Sequence, residues 1–218
     1  MTEFSRPRLL ICVAGTHTEV GKTWCSAQLL AHARRLGRRV AARKPVQSFD
    51  DSHMNTDAVE LARATGEKPD EVCPPHRSYA VAFAPPMAAD VLRRPAIHLD
   101  TVLAEIGWPE NIDVAVVETA GGLRSPVAHD GDSVDLIRRL TPDRIVLVAD
   151  AGLGTLNEVR LSLECLSPLS ATVFLNHYDP HTELHSLNRK WLMERYAVRV
   201  TTSIEELFAD LDSTQARP

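Results

Sequence analysis

The chain has 218 residues, enough for one sizeable core, and its 44% hydrophobic and 24% charged residues exclude a disordered or fibrous class. A formal charge of −5 argues against a nucleic-acid footprint over the whole surface. Four scattered cysteines form no C-x-x-C pair and no apolar stretch is long enough to span a membrane, so the expectation is one cytoplasmic domain without membrane or nucleic-acid partners.

The apolar run Leu9–Ala14 is predicted to be a buried strand. It leads into Gly15, Thr16, His17, Thr18, Glu19, Val20, Gly21, Lys22 and Thr23, which read as a phosphate-binding loop with one residue more than the common G-x-x-x-x-G-K-[ST]. In such a loop the backbone N–H groups and the positive end of the following helix surround a phosphate. Lys22 would reach the β- and γ-phosphates, and the Thr23 hydroxyl would ligate Mg²⁺. Residues 23–36 carry helical spacing, stopped by Gly37. Val40–Lys44 reads as a second strand ending before Pro45, which puts Lys44 at the carboxyl end of a parallel strand, where ligands bind in open α/β sheets.

Residues 47–55 read as a loop, and Asn55, Thr56 and Asp57 offer capping side chains to a helix over 58–64; by position alone Asp57 is a capping residue. The proline-rich stretch 68–98 reads as a structured excursion with a helix over 87–93, followed by a helix over 99–106 capped by Asp100. Val114–Glu118 is a buried strand ending in a carboxylate that would face the phosphate loop and hold Mg²⁺. Further strands are expected at 145–150 and 171–176, separated by a glycine loop over 151–157 and a helix over 158–166. This alternation implies a doubly wound, mainly parallel sheet of the P-loop NTPase type in a single domain, with a core over about 8–209 and a short solvated tail over 210–218. His177, His181 and His185 are spaced by four, but Pro180 interrupts any helix that would align them for a metal.

These residues resemble the dethiobiotin synthetase family. Thr18-Glu19-Val20-Gly21-Lys22-Thr23 is similar to the core of that family's long phosphate loop, Lys44-Pro45-Val46 to its Lys-Pro-Val motif, and Asn55-Thr56-Asp57-Ala58 to its acidic helix start. Glu118-Thr119-Ala120-Gly121-Gly122 is similar to its acidic glycine-rich turn, and Leu153–Asn157 and Asn176 have counterparts. The resemblance implies a homodimeric, ATP- and Mg²⁺-dependent ligase of biotin biosynthesis that carboxylates 7,8-diaminopelargonate with CO₂ and closes the ureido ring. It implies that Lys22 and Lys44 stabilise the transferring charge and that Thr23, Asp57 and Glu118 surround Mg²⁺. Ser48, with Gly121 and Gly122, would contact substrate. The amides of Gly154, Thr155, Leu156 and Asn157 would receive the substrate's far carboxylate across the subunit interface, and Asn176 would bond the base.

Thr119 stands where the family often has glycine, Glu158 where it often has His, and His17 where it often has Asp; residues 200–207 lack the turn that usually borders the base. Two alternatives use related sites. One is a P-loop ligase acting on another diamine or acid. The other is an ATP-driven switch that partitions DNA or positions division proteins; such switches carry an early second lysine in the loop, where this chain has His17.

Overall fold

The computed structural model describes residues 6–52 and 55–213. In chain order the elements are β1 (Leu9–Gly15), α1 (Lys22–Arg35), β2 (Val40–Arg43), β3 (Gln47–Ser48), α2 (Asp57–Thr65), α3 (Pro69–Val72), β4 (Ser78–Tyr79), α4 (Pro85–Val91) and α5 (Leu99–Ala104). Then come β5 (Val114–Glu118), β6 (Pro126–Ala128), β7 (Gly131–Asp132), α6 (Ser133–Leu140), β8 (Arg144–Asp150), α7 (Thr155–Leu166), β9 (Thr172–Asn176), α8 (Glu183–Tyr196), β10 (Val200–Thr201) and α9 (Ile204–Asp212).

Six strands form one parallel sheet in the order β10-β9-β8-β1-β5-β2. Alternate side chains of a strand face opposite ways, and β1 is buried on both sides. Its Leu9, Ile11 and Val13 join Leu29, Leu30, Leu61, Leu207 and Phe208 from α1, α2 and α9. On the other face Cys12 and Ala14 meet Val134, Ile137, Val159 and Leu166 from α6 and α7. The doubly wound parallel sheet is therefore as expected, and β1, the edge strand β2 and β5 deliver the phosphate loop, Lys44 and Glu118 at their carboxyl ends.

The differences are local. Residues 47–48 form a two-residue parallel ladder with β4 instead of a loop, and the N–H of Phe49 extends it by donating to the Tyr79 carbonyl at 3.0 Å. That ladder ties the proline-rich excursion over the end of β2. Thr155–Asn157 are the first turn of α7, since the helix begins directly after Gly154, where φ is 98°. Asp100 does not cap α5; its carboxylate pairs with Arg139, while the N–H of Leu99 donates to Asp130. The solvated tail expected from residue 210 begins later, because α9 runs through Asp212 and buries Leu211; the rest of that tail lies outside the described residues. Helices α6 and α8 cover stretches to which the sequence reading assigns no element.

Candidate active site

β1 ends at Gly15, and the N–H of Thr16 still donates to the Val148 carbonyl of β8 at 3.0 Å, so the loop leaves the sheet from a fixed point. Gly21 takes the left-handed conformation, φ 94°, that lets the chain turn into α1. A Cβ there would run into the Asn176 side chain, whose Nδ2 donates to the Val20 carbonyl at 3.0 Å and fastens the loop to the end of β9. No side chain caps α1 and no acidic residue occupies its first turn. The first-turn N–H groups have no intrahelical acceptors, so this end is suited to an anion. Lys22 Nζ folds back over the loop and donates to the His17 carbonyl at 3.0 Å.

Burial lowers the Lys22 pKa to about 8, with the Lys44 charge acting in the same direction and Glu118 and Asp57 offsetting part of it. A bound polyphosphate favours the protonated amine. We therefore expect nucleotide affinity to be flat at lower pH and to weaken by up to about tenfold per unit as pH rises above about 8. Calorimetry in two buffers of different ionisation enthalpy should read proton uptake on binding near pH 9; Lys22→Met should abolish it.

Beside the loop, Lys44 follows directly on β2 and is only 2% exposed. Its Nζ donates to Glu118 Oε1 at 2.7 Å, to Asp57 Oδ2 at 2.8 Å and to the Thr119 carbonyl at 3.0 Å. Burial alone would lower its pKa, but the two carboxylates outweigh that and raise it, so Lys44 is a fixed positive charge. Lys44 in turn holds the Asp57 carboxyl below its ordinary value. The capping role suggested by the position of Asp57 is not taken, since α2 has no side-chain cap and the carboxylate reaches across to β2.

Thr23 Oγ1 lies 3.0 Å from Asp57 Oδ1 and 2.7 Å from Glu118 Oε1. A hydroxyl has one proton and can serve only one of them at a time. The second oxygen of Glu118, Oε2, is buried without a hydrogen-bond partner. One hydroxyl and two carboxylates, with a buried oxygen to spare, fit a small hard cation that prefers oxygen ligands, as Mg²⁺ does.

A cleft of about 760 Å³ opens above this cluster. Of the predicted residues, Thr18, Glu19, Gly21, Lys22, Thr23, Lys44, Ser48, Asp57 and Gly121 line it. Glu118 lies fully buried beside them, and Gly15, Thr16, His17 and Val20 build the loop. Gly122 packs behind it, where a Cβ would come within 3.0 Å of the Thr16 carbonyl. Ser48 donates to the Phe83 carbonyl at 2.5 Å, which couples the excursion to the site.

Gly154, Thr155, Leu156 and Asn157 are not part of the cleft lining; they stand with the 92%-exposed Leu153 at the start of α7. The N–H groups of Thr155 and Asn157 already donate to the carbonyls of Gly152 and Gly154. Two departures from the family pattern meet here, with the His17 ring 3.6 Å from Glu158. The three spaced histidines do not converge. His177 pairs with Asp150 at 2.9 Å, His185 Nδ1 accepts the Asp179 N–H, and among the described residues no group of three or more His, Cys, Asp or Glu side chains is gathered to hold a metal.

Trp24, Gln47 and Phe83 also line the cleft. Trp24 directly follows the loop's threonine, Gln47 stands in the stretch Arg43–Ser48 that resembles the Lys-Pro-Val motif, and Phe83 is an aromatic of the proline-rich stretch, but none of the three is assigned a role by the sequence; Gln47 Oε1 accepts the Ala58 N–H at 3.1 Å.

Residues 10–204 match a family described as an AAA domain. Dethiobiotin synthetases are similar over most of the chain. The ATP-dependent dethiobiotin synthetase BioD of Rhodopirellula baltica is 34% identical over 80% of this chain and 75% of its own. Those of Haloferax mediterranei and Mycobacteroides abscessus are 34% and 32% identical, covering 87% and 90% of this chain and 81% and 87% of theirs.

Among solved structures, a putative plasmid partition protein from Borrelia burgdorferi bound to AMPPNP superposes with a TM-score of 0.56 at 14% identity, over 95% of this chain and 98% of that one. The GDP complex of the signal recognition particle receptor FtsY from Elizabethkingia anophelis gives 0.56 at 13% identity, over 100% and 67%. These structures share the fold. The relatives and the site together show that the chain belongs to the ATP-dependent dethiobiotin synthetase family.

Proposed function

We propose that this chain is an ATP- and Mg²⁺-dependent ligase that makes dethiobiotin from 7,8-diaminopelargonate and CO₂, releasing ADP and phosphate. The observation that carries the reading is Lys44, a buried cation shared between Glu118 and Asp57 beside Thr23 of the phosphate loop. One amine of the substrate takes up CO₂ as a carbamate, a carbamate oxygen receives the γ-phosphoryl group, and the second amine attacks the resulting anhydride, expelling phosphate and closing the ring.

Such a path builds negative charge on oxygens in close succession, and fixed positive charge supplies most of what a protein can contribute. Lys44, held protonated, stabilises carbamate and phosphoryl charge from one side, and Lys22 does so from the loop. Thr23, Asp57 and Glu118 would hold Mg²⁺, which supplies charge neutralisation across the phosphate oxygens. Ser48 and Gly121, on the cleft wall, contact the diamine, with Gly122 supporting Gly121 from behind. Asn176, at the carboxyl end of β9, contacts the base.

The exposure of Leu153, Gly154 and Asn157 around the start of α7, where Thr155 itself is buried, supports a homodimer in which Gly154 to Asn157 of the partner subunit receive the substrate's carboxylate. Four free cysteines fit a reducing cytoplasmic setting, and the reading includes neither nucleic acid nor membrane as a partner. None of the described helices is long and apolar enough to cross a membrane.

The test is phosphate release from MgATP and bicarbonate with and without 7,8-diaminopelargonate, with dethiobiotin followed by mass. Phosphate and dethiobiotin should appear in equal amounts and only with the diamine. Nucleotide binding without diamine-dependent product would refute the substrate and leave the nucleotide site standing.

A further inference from the structure

We propose that Gln47 is a positioning residue for Asp57: its side chain serves the start of α2 in place of a helix cap, which leaves the Asp57 carboxylate to Lys44, Thr23 and the metal. The inference rests on the metal-binding part of the function proposed above.

The first turn of a helix carries N–H groups with no acceptor inside the helix, and a carboxylate beside them gains from both the hydrogen bond and the helix dipole. Asp57 is the first residue of α2, and the Thr56 side chain before it makes no capping bond. Left to itself, such a helix end draws on its nearest carboxylate. Asp57 instead turns Oδ2 to Lys44 at 2.8 Å and Oδ1 to Thr23 at 3.0 Å. The Ala58 N–H, which a cap at Thr56 would take, donates at 3.1 Å to Gln47 Oε1, 11 residues earlier in the chain.

The Gln47 amide is fixed from both ends. Its Nε2 donates to Ser78 Oγ at 2.8 Å, and because the Ala58 N–H can only donate, the oxygen of the amide must face it. The side chain is buried, and the parallel ladder pairs Gln47 with Ser78 along the backbone. Gln47 lies three residues beyond Lys44, on the segment that leads from β2 to the cleft wall. One short segment therefore acts on Asp57 twice. Lys44 attracts its carboxylate, and Gln47 removes the competing claim of the helix end. A carboxylate at position 47 could accept the same N–H, but it would set a further negative charge next to Asp57. A neutral amide accepts the bond without drawing on Lys44 or the metal.

The test is the Mn²⁺ affinity of the chain saturated with ADP, read from the electron paramagnetic resonance of free Mn²⁺. It compares the intact chain with Gln47→Leu, Thr56→Asn, Asp57→Ala and the double variant Gln47→Leu, Thr56→Asn. Gln47→Leu should weaken Mn²⁺ binding by about fivefold to tenfold, the size of one helix cap, while ADP affinity in EDTA stays within about twofold. Thr56→Asn offers the Ala58 N–H an uncharged cap, so alone it should change little, and in the double variant it should return Mn²⁺ affinity to within about twofold of wild type. Unchanged Mn²⁺ affinity in Gln47→Leu would overturn the proposal. So would a double variant that recovers Tm but not Mn²⁺ affinity, which would make Gln47 a structural residue only. If Gln47→Leu does not fold, Gln47→Asn, one methylene short of Ala58, reads the same loss. Asp57→Ala must itself weaken Mn²⁺ binding. No loss there would refute the metal assignment and the proposal with it, whereas loss there with none in Gln47→Leu would refute the positioning role alone.

Discussion

Lys44→Ala is expected to reduce dethiobiotin formation by roughly 10²–10³-fold or more, because it removes a fixed positive charge that stands beside the phosphate loop and holds Asp57 and Glu118 in place. The same change should lower stability. Lys44 is the charged partner of Glu118, which is fully buried and whose Oε2 already lacks a partner. Removing one member of a buried pair leaves the other uncompensated, typically costing about 3–5 kcal/mol, or a fall in Tm of roughly 10 °C for a chain of this size. Asp57 is less affected, since 42% of its side chain is open to water.

A double variant separates the two effects. Lys44→Met with Glu118→Leu replaces the pair with apolar groups of similar shape, and should recover most of the lost Tm while remaining inactive. Recovery of turnover in that variant, or wild-type turnover in Lys44→Ala, would remove Lys44 from the chemistry. Thermal melts and initial rates on the same preparations read both.

Gly21→Ala is expected to weaken nucleotide binding by roughly a hundredfold and to cost about 1–3 kcal/mol of stability, from two causes at one atom. Its φ of 94° is strained for any residue with a Cβ. That Cβ would also meet the Asn176 amide, which must then release the Val20 carbonyl and with it the attachment of the loop to β9. In Asn176→Ala the bond is lost but the space is opened. The double variant Gly21→Ala, Asn176→Ala should therefore be less destabilised than the sum of the singles, with a coupling that reports the steric part. Strict additivity would show that backbone strain alone is responsible. Kd for MgATP and thermal unfolding of all four proteins complete the cycle.

Sequence alone determined the parts whose chemistry is contiguous along the chain. The run from Gly15 to Thr23 carries its glycines, lysine and threonine within nine residues, and the order of strand, loop and helix around it is legible from apolar runs and breakers. Lys44 and Glu118 were legible for a related reason: each closes a β-branched or alanine-rich strand, and ligands gather at the carboxyl ends of parallel strands.

The short elements were harder. β3, β4, β6, β7 and β10 have two or three residues each, too few for any periodicity to show. Helix α6 does carry a signal, with Asp132 accepting the Val134 and Asp135 N–H groups in a capping box, but α8 buries little beyond Asn188 and Leu192 and so has no apolar stripe to mark it. Tertiary structure alone decided what Asp57 does. Its neighbours in sequence make it a helix cap, and only the pairing of β1, β5 and β2 brings Lys44 and Thr23 to its carboxylate, because a buried ammonium attracts that carboxylate more strongly than a solvated helix end does. The stacking of Trp24 on Phe174, 150 residues later in the chain, is of the same kind: no local pattern encodes a contact that exists only once α1 lies across β9.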